Sequence, residues 1–378
     1  MTLDVVTLLA ELFPAEWGAV EPSRVALRRL SGALTNAVYD VEAAPDVDGQ
    51  RGPRLLLRLY GFGSDDFINR ANEMSWLAAL AAHGYGPRLL GAFMNGRCEQ
   101  FLASRTMRKD DLVRPDLMAA VARNFCQLHA VQSRSLEKPT ASEMWGQMRS
   151  WTEVTVEAWR HVIPTRNPQA YDQLVQAQLP WDQLEAESEF LQAALEGISD
   201  CLVFCHNDLQ YGNIIQLLVG HDADGSPQYG DVILVDYEYA GINYAPYDIA
   251  NHFCEFAADY HSDTPYRMDY SRYPTLAQQS RFPMAMPADW PMDRRVAVFQ
   301  RQVDRLTLAS HFMWVLWGLM KSREADETFS YPGYTIERYR EYQRKKAELY
   351  GPNATAASVK ATLAEAGATP ASAAAAGL

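Results

Sequence analysis

Apolar positions along this chain change period several times, and each change marks an element. Over residues 4–13 they recur every three or four positions, which predicts an amphipathic helix. Residues 24–30 and 37–41 instead alternate, as strands with one buried face do. Residues 54–61, Arg-Leu-Leu-Leu-Arg-Leu-Tyr-Gly, read as a buried strand interrupted by Arg58. A buried guanidinium demands a partner, and Glu73, in the helix that opens at Arg70 and runs through Trp76, Leu77 and Leu80, is the expected one. An edge-strand arginine facing water is the alternative. Two more strands, from Pro87 to Phe93 and from Arg97 to Leu102, flank the turn Met94-Asn95-Gly96. Five strands and one helix result.

Beyond residue 116 the helical period returns through Met118, Val121, Phe125, Leu128 and His129, with Pro115 as a start signal. His129 reads as a packed helix histidine. Residues 132–180 mix Trp145, Trp151 and Trp159 with charges and are expected to be helical; an acidic helix over 181–198 leads to a strand at 201–205. The loop 220–230 holds Asp222 and Asp224 but lacks the twelfth-position glutamate of an EF-hand, so it reads as the tip of a long hairpin. A helix at 247–260, a surface loop at 262–293 and a helix at 294–321 follow. Residues 351–378 are Ala, Thr and Ser with two prolines and few large apolar side chains, so disorder is expected there, apart from a transient helix at 358–366.

A length of 378 residues favours two lobes, and 48% apolar content with nine Trp supports a sizeable core. The formal charge of -13 argues against a nucleic-acid partner. The longest apolar run, 306–320, contains Thr307, Ser310 and His311 and falls short of the roughly 20 residues a membrane span needs. No Lys or Arg precedes Arg24, unlike the charged start of a secretory signal. The five cysteines form no C-x-x-C unit and read as reduced thiols. A soluble cytoplasmic protein without membrane insertion is expected.

Chemistry concentrates in Cys205-His206-Asn207-Asp208-Leu209-Gln210-Tyr211-Gly212-Asn213, followed after the hairpin by Asp236-Tyr237-Glu238-Tyr239. Asp208 and Asn213 stand at the spacing of a kinase catalytic loop, and the second aspartate arrives on a strand, where such enzymes place a metal ligand. Asp208 suits a hydroxyl proton; Asn213 and Asp236 supply hard oxygen for Mg²⁺. Each residue alone would be an ordinary polar turn or strand cap. In this order they point to phosphoryl transfer. The small-residue turn Ser31-Gly32-Ala33-Leu34-Thr35-Asn36 could offer backbone N–H groups and the Ser31, Thr35 and Asn36 side chains to phosphate, although an ordinary hairpin would look the same. Residues 99–105 would be a hinge whose backbone reads an adenine edge while Phe101 and Leu102 cover its face. Asp248 is expected to bond backbone groups of the catalytic loop, and Glu255 and Tyr260 to face substrate. Trp314 and Trp317 share a helix face. Such rings are usually core; with Tyr239 and Tyr260 they could also cage a substituted ammonium, at roughly 0.5–2 kcal/mol per contact.

With these motifs the chain resembles the choline/ethanolamine kinase family, which carries C-H-N-D-L-x-x-x-N, D-[FY]-E-Y and a D-[IL]-[GA]-N-H-F helix, here Asp248 to Phe253. The resemblance spans about residues 28–350 and includes Leu57-Arg-Leu-Tyr-Gly61 and Ser310-His-Phe-Met-Trp314-Val-Leu-Trp317. It implies an α+β, two-lobed protein-kinase-like fold, with a small antiparallel sheet lobe carrying one helix (1–104) and a larger, mainly helical lobe (105–350). The implied activity is ATP-dependent phosphorylation of choline or ethanolamine, the first step of the CDP-choline and CDP-ethanolamine routes to phospholipids, with Mg²⁺ as cofactor. Asp208 would be the base, and Asn213 and Asp236 the metal ligands. Ser31 to Asn36 and Arg58 would hold the phosphates, and Gln100, Phe101, Leu102, Ser104, Arg105 and Gln210 would line the nucleotide. Tyr239, Glu255, Tyr260, Trp314, Trp317, Phe329 and Tyr334 match substrate positions. The family's Gly-Gly is Gly32-Ala33 here and its W-G-L-W glycine is Val315, which would change phosphate contact and pocket shape respectively. Tyr237 and Glu255-Phe256 look more like ethanolamine kinases, whereas Glu99-Gln-Phe101 and the aromatic set look more like choline kinases. Both substrates are expected, with choline at least competitive, and the family's dimers make a homodimer the expected assembly. A kinase of the same fold acting on aminoglycosides or sugars would carry more acids in its pocket. A nucleotide-binding pseudokinase scaffold would have lost a ligand or the base.

Overall fold

Strand alternation builds the first of two units, residues 1–106 with 214–238, in a computed structural model. The structure describes residues 2–30, 36–45, 49, 51–61, 70–82, 84–131, 141–282, 291–326 and 328–376. Five antiparallel strands, β1 (Val25–Leu30), β2 (Asn36–Ala43), β3 (Arg54–Tyr60), β4 (Leu89–Phe93) and β5 (Gly96–Gln100), lie in the order β1-β2-β3-β5-β4. The inward side chains Val41, Ala43, Leu55, Leu57 and Cys98 meet Val5 and Leu9 of the helix Thr2–Leu12 and Trp17, which closes the apolar face of the sheet. The helix Arg70–Ala82 lies between β3 and β4 in the chain. A second sheet joins β6 (Ser104–Thr106) to the hairpin Ile214–His221 and Pro227–Leu234, as the loop 220–230 predicts. That hairpin groups with the first unit, so the unit is larger than the 1–104 segment expected from the sequence.

The expected pairing of Arg58 with Glu73 is not formed. Register places Arg58 opposite Arg97 on the neighbouring strand, and like charges so placed repel unless carboxylates lie between them. Arg97 takes Glu73 at 2.6 Å and Glu99 at 2.5 Å, while Arg58 takes Asp236 at 2.9 Å and Glu99 at 3.4 Å. Glu73 also accepts from Arg70.

The second unit, residues 107–213 and 239–378, is mainly helical. Its strand Leu202–Cys205 pairs antiparallel with Gly241–Tyr244. The helix Ala245–Glu255 follows with Pro246 in its first turn, and the helices Met292–Lys321 and Tyr331–Tyr350 pack against each other. The Ala245–Glu255 helix stops before Tyr260, five residues earlier than the sequence pattern predicts. The expected 262–293 loop is irregular apart from short helices at Tyr270–Arg272 and Leu276–Gln279 among its described residues, up to Met292, where the long helix begins two residues earlier than predicted.

The tail differs from the expected disorder. It forms the helices Ala356–Glu365 and Pro370–Ala376, which bury Val359, Ala373 and Ala374 against Leu184–Leu195 and Met292–Lys321. Alanine is the strongest helix former, and its small side chain lets helices pack closely without large apolar groups. Arg301 donates to the Ala374 and Ala375 carbonyls at 2.7 and 3.0 Å, satisfying helix-end acceptors.

Candidate active site

Asp208 lies in a loop held from beneath by Asp248, the carboxylate in the first turn of the Ala245–Glu255 helix. Asp248 accepts from the His206 and Asn207 backbone N–H groups at 2.9 and 2.8 Å and meets His129 Nε2 at 3.0 Å. Burial pushes its carboxyl up, but the His129 bond, the His129 and His206 charges and the backbone donor outweigh it and hold the group below its ordinary value. The structural role expected of Asp248 is therefore present; His129 is its partner. Asn207 sits at φ 64, a left-handed conformation that asparagine tolerates, and its side chain donates to Tyr239 O at 2.9 Å while accepting from Asn243 at 3.0 Å. His252 meets the Leu209 carbonyl at 2.8 Å, which requires the proton on Nδ1.

Asn213 reaches back to Asp208, donating to its carbonyl at 2.8 Å and to Oδ2 at 3.1 Å. The five-residue spacing thus makes a closed turn that orients the carboxylate. Gln210 points its Oε1 into the same turn, accepting from Gly212 N at 2.7 Å.

Asp236 belongs to the first unit and also sits at positive φ, 70°. Its carboxylate, those of Glu238 and Glu73, and their nearest oxygens lie within 4.8 Å of one another. Carboxylate oxygens of this kind suit a hard divalent cation, and here Glu73 and Asp236 also balance the guanidinium charges of Arg97, Arg70 and Arg58. Glu73 and Glu238 were missed as neighbours of Asp236 at the sequence level; Glu238, two residues on, was the available signal. Burial disfavours the Arg58 charge, yet Asp236 and Glu99 outweigh it and raise its pKa.

The proposed nucleotide residues spread over several elements. Ser31, Gly32, Ala33, Leu34 and Thr35 fall outside the described residues. Asn36, at the start of β2, donates to Glu238 at 2.8 Å. Gln100 Oε1 accepts from Arg88 at 3.3 Å, the Phe101 ring lies 3.6 Å beneath the Arg54 guanidinium, and the Leu102 carbonyl accepts from Ser104 at 3.0 Å. Arg105 donates to Gln216 at 2.8 Å.

All seven substrate-position residues lie in the second unit, and the structure strings their side chains together. Ring centroids are 5.6 Å apart for Tyr239 and Trp314, 5.6 Å for Trp314 and Trp317, and 6.0 Å for Trp317 and Tyr334. Phe329 continues the set, 5.7 Å from Tyr334 and 6.3 Å from Tyr260. Hydrogen bonds fix the rings: Trp317 Nε1 donates to Tyr239 Oη at 3.0 Å and Trp314 Nε1 to Asn251 Oδ1 at 2.7 Å. Tyr260 Oη donates to Glu255 Oε2 at 2.7 Å, and its backbone N–H donates to Tyr211 Oη at 2.6 Å, in the turn that carries Asn213. Burial pushes the Tyr334 hydroxyl up; Arg338 opposes this, and the charges of Glu255 and Asp208 add to it. Sequence reasoning missed Arg338, whose guanidinium bonds Glu255 directly, and Asn251. Arg338 stands one helical turn after Tyr334, a spacing that was visible.

The family profile of choline/ethanolamine kinase matches residues 27–343. The chain belongs to the choline/ethanolamine kinase family. It is 33% identical to probable choline kinase 2 of Arabidopsis thaliana over 89% of this chain and 90% of that one. Against the choline/ethanolamine kinase of Homo sapiens it is 31% identical, covering 90% of this chain and 85% of that one. The solved ethanolamine kinase of Plasmodium vivax is similar in fold, with a TM-score of 0.71 at 20% identity over 89% and 86% of the two chains. The protein is a kinase with the sheet-plus-helical-lobe architecture, and kinases of this kind use ATP and generally need a divalent metal. Among the described residues no helix is long and apolar enough to cross a membrane.

Proposed function

We propose that this kinase transfers the γ-phosphoryl group of ATP to the hydroxyl of choline or ethanolamine, with Asp208 accepting the hydroxyl proton. What carries this is the contiguous set of rings from Tyr239 to Tyr260, joined through Tyr211 to the loop that bears Asp208. An amino alcohol has a cationic head suited to ring faces and, one ethylene unit away, a hydroxyl suited to a carboxylate. As the hydroxyl oxygen bonds to the γ-phosphorus, the bond to the β–γ bridging oxygen breaks and ADP departs with its electron pair. The proton passes to Asp208, whose orientation Asn213 holds. Phosphocholine or phosphoethanolamine is released.

Asn213 and Asp236 would hold Mg²⁺, whose charge offsets that of the phosphate oxygens. Asn36 and Arg58, with the 31–35 segment, are assigned to the phosphates; Gln100, Phe101, Leu102, Ser104, Arg105 and Gln210 are assigned to the rest of the nucleotide. The enzyme is assigned to the cytoplasm, a compartment in which free thiols such as its five cysteines persist, and to the first step of the CDP-choline or CDP-ethanolamine route. The resemblance supports a homodimer.

The test is ADP release by the purified protein over a panel of choline, ethanolamine, an aminoglycoside and a sugar. Turnover dependent on choline or ethanolamine is expected. Turnover of the aminoglycoside or sugar alone would overturn the assignment.

A further inference from the structure

Among the seven residues assigned to the amino-alcohol site, Glu255 is the one acid, and it is 2% exposed. Neither of its oxygens is simply presented to a cation. Oε1 takes Arg338 Nη2, and Oε2 takes the Tyr260 hydroxyl at 2.7 Å. Arg338 is itself 0% exposed; its Nε donates to Tyr334 Oη at 3.0 Å, and Nη1 meets His311 Nδ1 at 3.3 Å. Burial and the Arg338 charge both keep His311 neutral. The Glu255 and Arg338 charges therefore offset each other, and the guanidinium also fixes a ring of the cage, lying 5.1 Å from the Tyr334 centroid.

We infer that Arg338 determines substrate specificity: by neutralising Glu255 it leaves the ring faces as the main partner of the substrate cation and favours a quaternary over a primary ammonium. This rests on the amino-alcohol kinase assignment above. The physical ground is the different demand of the two heads. A primary ammonium leaving water needs acceptors for its N–H donors, whereas a trimethylammonium has no donors and is satisfied by ring quadrupoles. An unpaired Glu255 would serve the first; a paired one leaves the second at an advantage. Arg338 acts through Glu255 and Tyr334 and is a positioning residue.

The test is steady-state kcat and KM at saturating ATP for choline, ethanolamine and 3,3-dimethylbutanol, the uncharged isostere of choline, with four variants. Arg338→Met exposes the Glu255 anion, so the ratio of kcat/KM for ethanolamine to that for choline should rise about tenfold or more, chiefly through KM for ethanolamine. Glu255→Gln leaves the Arg338 charge beside the cage, so KM should rise about tenfold for both cations while KM for the isostere stays put. The double variant removes both charges and should return the ratio to within about threefold of wild type; Arg338→Lys should keep it there. If Arg338→Met does not fold, because an unpaired buried carboxylate is costly, the Glu255→Gln comparison of cation against isostere decides. An unchanged ratio in folded Arg338→Met, or equal losses for cations and isostere in Glu255→Gln, would overturn the inference. Turnover of neither cation by the wild type would overturn the kinase assignment and this inference with it.

Discussion

Asn207, next to Asp208, and Asp236, in the first unit, hold positive φ, a conformation that residues other than glycine rarely adopt. Asn207 is compensated by its bonds to Tyr239 O, Asn243 and Asp248. At the same scale, the indole of Trp314 is aimed by Asn251, whose Oδ1 also accepts from Ser310 at 2.8 Å. Trp314→Ala should raise KM for choline by about tenfold, the worth of one good cation–π contact, with a smaller change in kcat; initial-rate kinetics checks this. Asn251→Leu leaves the Trp314 and Ser310 donors unsatisfied, so a loss of roughly 1–3 kcal/mol in stability, read from denaturant unfolding, should accompany a raised KM. The Asp248 role was legible in the sequence because a carboxylate just inside a helix, next to a polar loop, must find donors. Arg338 was harder to see. Its charge is stated by the sequence, but its burial follows only from how two helices pack.

The helices Met292–Lys321 and Tyr331–Tyr350 pack against each other, and at Gly318 an added Cβ would lie 2.3 Å from Thr335 Oγ1 and 3.4 Å from Tyr334 Cδ1. Gly318→Ala should therefore force the helices apart, lower stability by roughly 1–3 kcal/mol and displace the Tyr334 ring. Calorimetry should show a lowered Tm, and kinetics a raised KM for choline; an unchanged Tm would mean the interface yields freely. Element types were largely legible, because alternation and helical period are local properties. Pairing was not. The Arg58–Glu73 expectation failed because β3 and β5 bring Arg58 and Arg97 face to face, and register between strands separated by a helix is invisible to local pattern. The tail was misjudged for a related reason: low apolar content argues against independent folding, yet small residues can dock on a face already built.

Across the whole molecule, buried histidines tie stability to pH. Burial holds His252 down to about 4 from its ordinary 6.5, with the Leu209 carbonyl bond only partly offsetting it. As pH falls below 6.5 the unfolded chain takes up a proton that the native site refuses, so stability drops on acidification, by roughly 3 kcal/mol at pH 4 from this group. His311 acts in the same direction. Thermal unfolding between pH 7.5 and 4.5 should show a falling Tm, and His252→Asn should flatten that slope. The loop turn was legible because Asp208 and Asn213 stand five residues apart, the spacing that the Asn213 bond to Asp208 closes; the aromatic set, drawn from distant stretches of chain, was legible only beside that loop. The proposed base for the amino-alcohol hydroxyl is Asp208. The most direct test of that role is the rate of phosphomonoester formation from ATP and choline or ethanolamine, followed by ³¹P NMR for the wild type and Asp208→Ala. A wild-type product signal that falls by about 10²–10⁴ in kcat in the variant, at unchanged Tm, is predicted. A near-normal kcat for Asp208→Ala would contradict it.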